Sequence, residues 1–145
     1  MEGRSEGLAT RAHLILVDSS VWIDFFSSSP GRGGDELRRM IADAEHFVLT
    51  GIIIAEILQG VTRDVDRIES YLSLWDMVEP SGFATYRRAA EIFRTARAKG
   101  MSLTTIDTLI AAIALEHRAS VFTLDKDFAG ISRITGLPLH GLPAS

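Results

Sequence analysis

Four acidic residues fall where a folded chain could bring them together, at the ends of apolar runs or inside apolar segments. They are Asp18, Glu56, Asp107 and Asp125. Clustered carboxylates repel one another, and a hard divalent cation that prefers oxygen ligands, such as Mg²⁺ or Mn²⁺, would offset that repulsion. A water molecule activated by such a cation can attack a phosphodiester. The pattern therefore favours metal-dependent phosphodiester hydrolysis.

Each of these acids also has an interpretation that needs no metal. Asp18 and Asp125 could be turn residues at strand ends, and Glu56 could be a solvated helix residue. Asp107 follows Thr104 by three positions, which is close to a capping box, and a negative charge is favoured at a helix N-terminus. All these interpretations would have to hold at once, and they leave the regular placement of the acids unexplained. At Asp107 the cap and the metal ligand both stay open.

Other common catalytic and metal sites find no support in the sequence. The chain has no cysteine, which excludes a disulfide framework and a thiolate metal site. Neither a G-x-S-x-G nucleophile elbow nor a phosphate-binding glycine loop is present. The four histidines lack the spacing of zinc ligands; they are His13, His46, His117 and His140.

Length and composition predict a single folded domain. The chain has 145 residues, of which 46% are hydrophobic, and this is enough for one sizeable core. A net charge of −4 argues against a simple basic nucleic-acid coat protein but allows an enzyme with a local basic rim. The apolar runs are too short to span a bilayer, and no basic segment precedes an apolar one at the start. We therefore expect a cytoplasmic protein.

The order of predicted elements gives the fold class. Short apolar runs predict strands at residues 14–17, 47–49, 77–78, 120–124 and 137–142. Helical periodicity predicts helices at residues 21–26, 35–44, 52–59, 64–75, 83–99 and 104–115, with a loop at residues 27–34. This alternation is typical of an α/β sandwich around a mostly parallel sheet, in which ligands bind outside the carboxyl ends of the strands.

Three finer expectations accompany these elements. Ser19 and Ser20 are expected to cap the helix at residues 21–26. Residues 1–13 carry charge, Gly and Ser without periodicity and are expected to be a flexible lead-in, so the domain covers residues 14–145. The helix at residues 83–99 is expected to face inward with Phe83, Tyr86, Ala89, Ala90, Phe93 and Ala96.

Four segments, taken in order, resemble the PIN-domain ribonucleases and, within them, the VapC toxins of type II toxin–antitoxin pairs. The segments read LILVDSSVWIDFF, IIIAEILQG, TTIDTLIAAIA and VFTLDKDF, and the resemblance runs from Leu14 to about Leu142. The acidic quartet of the family falls on Asp18, Glu56, Asp107 and Asp125. Supporting positions are a companion acid, the hydroxyl residue before the third acid and a hydroxyl beside the first: Asp127, Thr104 or Thr105, and Ser19.

The resemblance implies a three-layer sandwich with a mostly parallel, PIN-like central sheet of about five strands. It also implies a homodimer with endoribonuclease activity that depends on Mg²⁺ or Mn²⁺. A cognate VapB-like antitoxin is expected to wrap the toxin and to direct an arginine towards the carboxylates, where a charge-assisted hydrogen bond is strong.

RNA phosphates require cations near such a site. The candidates lie on the long helix at residues 83–99, and their alternative role is that of an ordinary solvated helix face; they are Arg87, Arg88, Arg94, Arg97 and Lys99. Two rival functions also stay open. One is a phosphatase or phosphotransferase with Asp18 as nucleophile, although Ser20 stands where that chemistry usually has a second acid. The other is a non-catalytic binding module with an acidic pocket.

Overall fold

The computed structural model describes residues 14–142, so the expectation of a flexible lead-in at residues 1–13 lies outside the described part of the chain. Residues 14–142 contain three strands: β1 (Ile15–Val17), β2 (Phe47–Val48) and β3 (Ser120–Phe122). The helices are α1 (Ser19–Phe26), α2 (Arg32–Ala42), α3 (Gly51–Gly60), α4 (Val65–Leu72), α5 (Phe83–Ala98), α6 (Thr105–Glu116) and α7 (Asp127–Thr135). Within the described residues no helix is long and apolar enough to cross a membrane.

The strands form a parallel sheet in the order β2-β1-β3. Single parallel bridges, Leu49 to Met77 and Val121 to Leu139, extend this sheet at both edges. The α/β fold with a parallel sheet is confirmed. Of the five expected strands, the two outer ones are reduced to these bridges, because each outer segment pairs at one residue only.

The sheet is covered on both faces. Successive residues of a strand point to opposite faces, and Ile15, Leu16 and Val17 of β1 are all buried. A strand buried on both faces requires packed layers on either side, as in a three-layer sandwich. Helix α1 packs against α2 and α3, and α3 packs against α4. On the other side, α5 packs against α6 and α7, and α3 meets α6.

Several predicted bounds were wrong by a few residues. Helix α1 begins at Ser19, so Ser19 and Ser20 lie in its first turn and Asp18 is the N-cap residue. Helix α2 begins at Arg32, inside the predicted loop, because the Asp24 carboxylate accepts hydrogen bonds from the Gly31 and Gly34 amides. Helix α4 ends at Leu72 and strand β3 ends at Phe122, both earlier than predicted.

The inward face predicted for α5 was partly wrong. Phe83 is 80% exposed, Tyr86 is 54% exposed, and Ala90 is also exposed. The buried stripe instead consists of residues spaced four, three and four apart, with mostly small side chains that allow close packing against α6. These are Thr85, Ala89, Ile92 and Ala96.

Helix α7 was not predicted. It contains Gly130, Ser132 and Thr135, which have low helix propensity, so its local signal is weak. Phe128 and Ile131 are fully buried, and this tertiary packing stabilises the helix.

Candidate metal centre

The carboxyl ends of β1 and β3 lie side by side and bring two of the predicted acids to one edge of the sheet. Asp18 follows β1 directly, and its backbone N–H donates to the carbonyl of Phe122, the last residue of β3, at 2.8 Å. Asp125 lies in the turn three residues beyond Phe122. The Asp18 side chain is buried, with only 5% of the residue exposed, so its carboxylate requires polar partners inside the protein.

Three acids form a tight group at this edge. One carboxylate oxygen from each of Asp107, Asp125 and Asp127 lies within 4.8 Å of the others. Asp107 is in the first turn of α6, and Asp127 is the first residue of α7. Two oxygens on opposite sides of one Mg²⁺ are about 4.2 Å apart, since each bond is about 2.1 Å long. The group therefore has nearly the span that one small cation requires, and its oxygen donors suit Mg²⁺ or Mn²⁺.

Glu56 approaches the same centre from α3. Its carboxylate accepts a hydrogen bond from the Ser19 hydroxyl at 3.0 Å. Burial raises the pKa of Glu56, and the negative charges of Asp18, Asp107 and Asp125 raise it further, against the opposing effect of the Ser19 hydrogen bond. Because the charges of these three acids act on its carboxylate, Glu56 lies close to them.

Asp107 lies at the start of α6 and close to two other acids. Its backbone N–H donates to Thr104 Oγ1 at 3.1 Å, so Thr104 caps α6. Burial raises the pKa of Asp107, hydrogen bonding with Thr104 opposes this, and the charges of Asp125 and Asp18 raise it again. Asp107 therefore lies both at a capped helix start and in the tight group with Asp125 and Asp127.

The grouping differs in one respect from the expected quartet. Among the described residues, the group within 4.8 Å contains Asp127, which was expected only as a companion acid, and it does not contain Asp18 or Glu56. Those two flank the group and interact with it through their charges. Of the supporting hydroxyls, Ser19 binds Glu56 and Thr104 caps α6, while Thr105 is the exposed first residue of that helix.

Two hydroxyl residues that the sequence analysis did not select contact the buried acid directly. Ser20 Oγ and Thr123 Oγ1 both donate to Asp18 Oδ2, at 3.0 and 2.8 Å. The available signal was their spacing, because Ser20 follows Asp18 by two residues and Thr123 precedes Asp125 by two. Such spacing is common by chance, so it gave no prediction on its own.

The candidate RNA-binding cations are all exposed on α5 or at its end. Arg94 lines a groove of about 340 Å³ between α5 and α6 together with Thr105, two residues before Asp107. Arg87 lies over the Phe83 ring, 5.9 Å from its centre. Arg94 is therefore the candidate that the structure links to the start of α6.

Comparisons with known proteins identify the family of the chain. The family model described as PIN domain matches residues 15–134. The chain is 33% identical over 128 residues to VapC ribonuclease Mb1587 of Mycobacterium bovis, covering 86% of this chain and 96% of the relative. Ribonuclease VapC11 of Mycobacterium tuberculosis matches with the same identity and coverage.

Solved structures share the fold at lower sequence identity. VapBC2 from Rickettsia felis, bound to a DNA fragment from its promoter, matches with a TM-score of 0.69 and 20% identity, covering 90% of this chain and 99% of that one. Mycobacterium tuberculosis VapC20, described as a toxin that cleaves the sarcin-ricin loop, matches with a TM-score of 0.67 and 14% identity, covering 89% and 99%.

Proposed function

The chain belongs to the PIN-domain family, with VapC ribonucleases among its relatives, and we propose that it is a metal-dependent endoribonuclease that acts as the toxin of a toxin–antitoxin pair. The observation that carries this proposal is the group of carboxylate oxygens within 4.8 Å at the carboxyl edge of the sheet. The residues proposed to hold the metal, directly or through water, are Asp18, Glu56, Asp107 and Asp125, with Asp127 in support.

The proposed cation is Mg²⁺ or Mn²⁺. A bound ion of this type supplies an activated water and stabilises the leaving oxygen of the phosphodiester. Asp107 and Asp125 would hold the ion from α6 and from the turn after β3. Glu56 is the candidate proton acceptor, because its carboxylate lies beside the other acids. Ser19 orients the Glu56 side chain through its hydrogen bond.

RNA is the proposed substrate, and the α5 cations are proposed to bind its phosphates. Exposed guanidinium and ammonium groups that bind phosphates would balance the repulsion between an anionic strand and an acidic centre. Arg94 supports this role best because it shares a groove with Thr105 at the start of α6. A toxin that cleaves cellular RNA acts in the cytoplasm, and the proposal includes this location.

The nuclease is favoured over a phosphotransferase in which Asp18 is the nucleophile. Ser20, at the position where that chemistry usually has a second acid, hydrogen-bonds Asp18 Oδ2. The proposal also includes a VapB-like antitoxin, supported by the toxin–antitoxin complexes among the structural neighbours. It includes a homodimer as well, which rests on the family resemblance alone. Light scattering tests both assemblies by measuring the molar mass of the purified chain, first alone and then with the product of an adjacent small reading frame.

Chelation tests the proposed reaction. RNA cleavage by the purified chain should stop in EDTA and return when Mg²⁺ or Mn²⁺ is added in excess. Asp125→Asn should abolish the restored cleavage, whereas Asp66→Asn, which changes an exposed first-turn acid of α4, should leave it intact. Full cleavage in EDTA would overturn the metal mechanism. Metal binding without cleavage of any of a varied set of RNAs would favour the binding module instead.

A further inference from the structure

We propose that Ser20 and Thr123 are positioning residues of the metal centre, an inference that rests on the proposed function. The two residues fix the buried Asp18 carboxylate and the turn that carries Asp125. Neither residue is an acid, and both are half-buried. Their hydroxyl groups lie 3.4 Å apart and point to the same oxygen of Asp18. We name Ser20, Thr123 and Asp18 Oδ2 the hydroxyl relay.

The single proton of each hydroxyl determines which of these hydrogen bonds it donates and which it accepts. Each hydroxyl has one proton to donate and can accept hydrogen bonds on its oxygen. Ser20 donates to Asp18 Oδ2 and accepts from the Leu124 N–H at 3.0 Å. Thr123 donates to Asp18 Oδ2 and accepts from the Asp125 N–H at 2.9 Å. Two successive amides of the turn after β3 are thus connected through hydroxyls to one carboxylate oxygen.

This arrangement separates the roles of the two Asp18 oxygens. Oδ2 already accepts two hydrogen bonds from hydroxyl groups. Oδ1 has no hydrogen-bond partner within the part of the chain that the structure describes, which leaves it as the Asp18 oxygen available to a cation. A buried carboxylate without these two donors could rotate or could carry its charge without compensation.

The same relay also positions the tight group of acids. Because the Asp125 amide is held by Thr123, the backbone at Asp125 is fixed relative to Asp18. Asp125 Oδ1 in turn accepts from the Asp127 N–H at 2.9 Å, at the start of α7. The chain of hydrogen bonds therefore runs from Asp18 through Thr123 to Asp125 and Asp127, and a change at Thr123 should alter metal binding without removing any metal ligand.

The test is a Mn²⁺ titration of the full chain, followed by calorimetry, with Thr123→Val as the main variant. Valine preserves the shape of threonine and removes the hydroxyl. Loss of a group that orients metal ligands typically weakens metal affinity by about 10–100-fold, and we expect a loss in this range. Thr123→Ser, which keeps the hydroxyl, should bind Mn²⁺ nearly as tightly as the parent.

Thr135→Val is the matched control. Thr135 Oγ1 also donates once, to the Ile131 carbonyl, and accepts from the amide two residues on, that of Leu137. It lies at the end of α7 away from the acids, so both valine variants should lose thermal stability while only Thr123→Val loses Mn²⁺ affinity. If Thr123→Val does not fold, Ser20→Ala replaces it, since alanine is favoured in the helix. Ser20→Ala is also expected to lose Mn²⁺ affinity.

The outcomes separate the two proposals. A folded Thr123→Val or Ser20→Ala that binds Mn²⁺ as tightly as Thr135→Val would overturn the positioning role while the metal centre stands. A parent chain that neither binds Mn²⁺ nor cleaves RNA would overturn the proposed function, and the positioning role with it. Weakened binding in Thr123→Val with rescue by serine supports the relay.

Discussion

Asp125 and Asp127 contribute to the same group of oxygens but differ in how firmly the fold holds them. Asp125 is half-buried, and its amide is tied to Thr123, whereas Asp127 is exposed at the first position of α7. This difference explains why two acids separated by a single residue should not be equivalent in activity.

Asp125→Asn should therefore reduce RNA cleavage more than Asp127→Asn. If Asp127 acts as an outer group, its loss should cost about 10–100-fold in activity, and the loss at Asp125 should exceed this. Single-turnover cleavage rates at saturating Mg²⁺ measure the ranking. The reverse order would mean that Asp127 is the more important ligand and that Asp125 serves mainly to cap α7.

Glu56 gives a pH dependence in the metal-free protein. Its folded-state pKa is raised above the ordinary value of 4.5, chiefly by burial, so the folded protein binds its proton more tightly than the unfolded chain. This contribution to stability is present at low pH and is lost as pH rises from about 4.5 through the raised folded-state pKa. In EDTA the parent should therefore lose stability over this range.

Glu56→Gln should lose less stability than the parent across the same pH range, because glutamine does not titrate. Glu69→Gln, at an exposed position of α4, is the control and should follow the parent. Denaturant unfolding in EDTA at several pH values between 4 and 8 measures the slopes. Identical slopes for Glu56→Gln and the parent would contradict the raised pKa of Glu56.

At the scale of elements, the segment that extends the sheet beside β3 is attached to α2 through a buried acid. Glu36 on α2 is buried, accepts two hydrogen bonds from Arg39 at 2.8 and 2.7 Å, and pairs with His140 at 2.8 Å. The Arg39 hydrogen bonds and the His140 contact, against the opposing effect of burial, lower the pKa of Glu36 from 4.5 to about 2. Its stabilising effect is therefore present above pH 4.5 and is lost as pH falls towards 2.

Glu36→Gln should lower the free energy of unfolding by about 1.5–3 kcal/mol at neutral pH, the usual worth of hydrogen bonds to a charged group. Glu45→Gln removes another acid paired with the same Arg39, at a more exposed position, and should cost less than about 1 kcal/mol. Urea unfolding of both variants makes the comparison. Equal losses would show that burial of Glu36 adds nothing to the pairing.

The elements also show what the sequence could and could not predict. Strand β1 is apolar and buried throughout, and the centre of helix α6 at residues 110–114 is apolar and buried, so their sequence patterns were sufficient to predict them. Helix α7 depends on the burial of Phe128 and Ile131 against other elements, which no local pattern reports. The exposed rings of Phe83 and Tyr86 were misassigned because aromatic residues at helical spacing usually face a core.

The same difference between local and long-range signals applies to the candidate site. The approach of Asp18 and Asp125 was predictable because parallel strands bring their carboxyl ends to one edge of the sheet. The hydroxyl relay was not, because Ser20 and Thr123 are 103 residues apart and meet only when β1 and β3 pair. That Asp127 would join Asp107 and Asp125 also depended on α7, which the sequence did not predict.

At the scale of the whole molecule, a chain with a net charge of −4 concentrates acids at one edge of its sheet and places exposed cations along α5. Crowding of like charge in a folded protein costs stability, and the raised pKa values of Glu56 and Asp107 are consistent with that cost. On the proposed function, a divalent cation offsets this repulsion and couples stability to activity.

Thermal melts of Asp107→Asn in EDTA and in Mg²⁺, with cleavage assays on the same samples, test the central claim most directly. If Asp107 belongs to a metal centre, the metal-free variant should be at least as stable as the metal-free parent, because one repulsive charge is removed. Mg²⁺ should then stabilise the parent by mass action and the variant much less, and cleavage should be lost.

Asp66→Asn, which changes an acid in the first turn of α4, is the control for the effect of charge on a helix N-terminus. Its free energy of unfolding should fall by only about 0.3–1 kcal/mol, with or without Mg²⁺. We expect Asp66→Asn, but not Asp107→Asn, to lose stability in EDTA, and we expect only Asp107→Asn to lack the stabilisation by Mg²⁺. An Asp107→Asn protein that is less stable in EDTA, gains as much from Mg²⁺ as the parent and still cleaves RNA would contradict the metal centre and leave Asp107 as a helix cap.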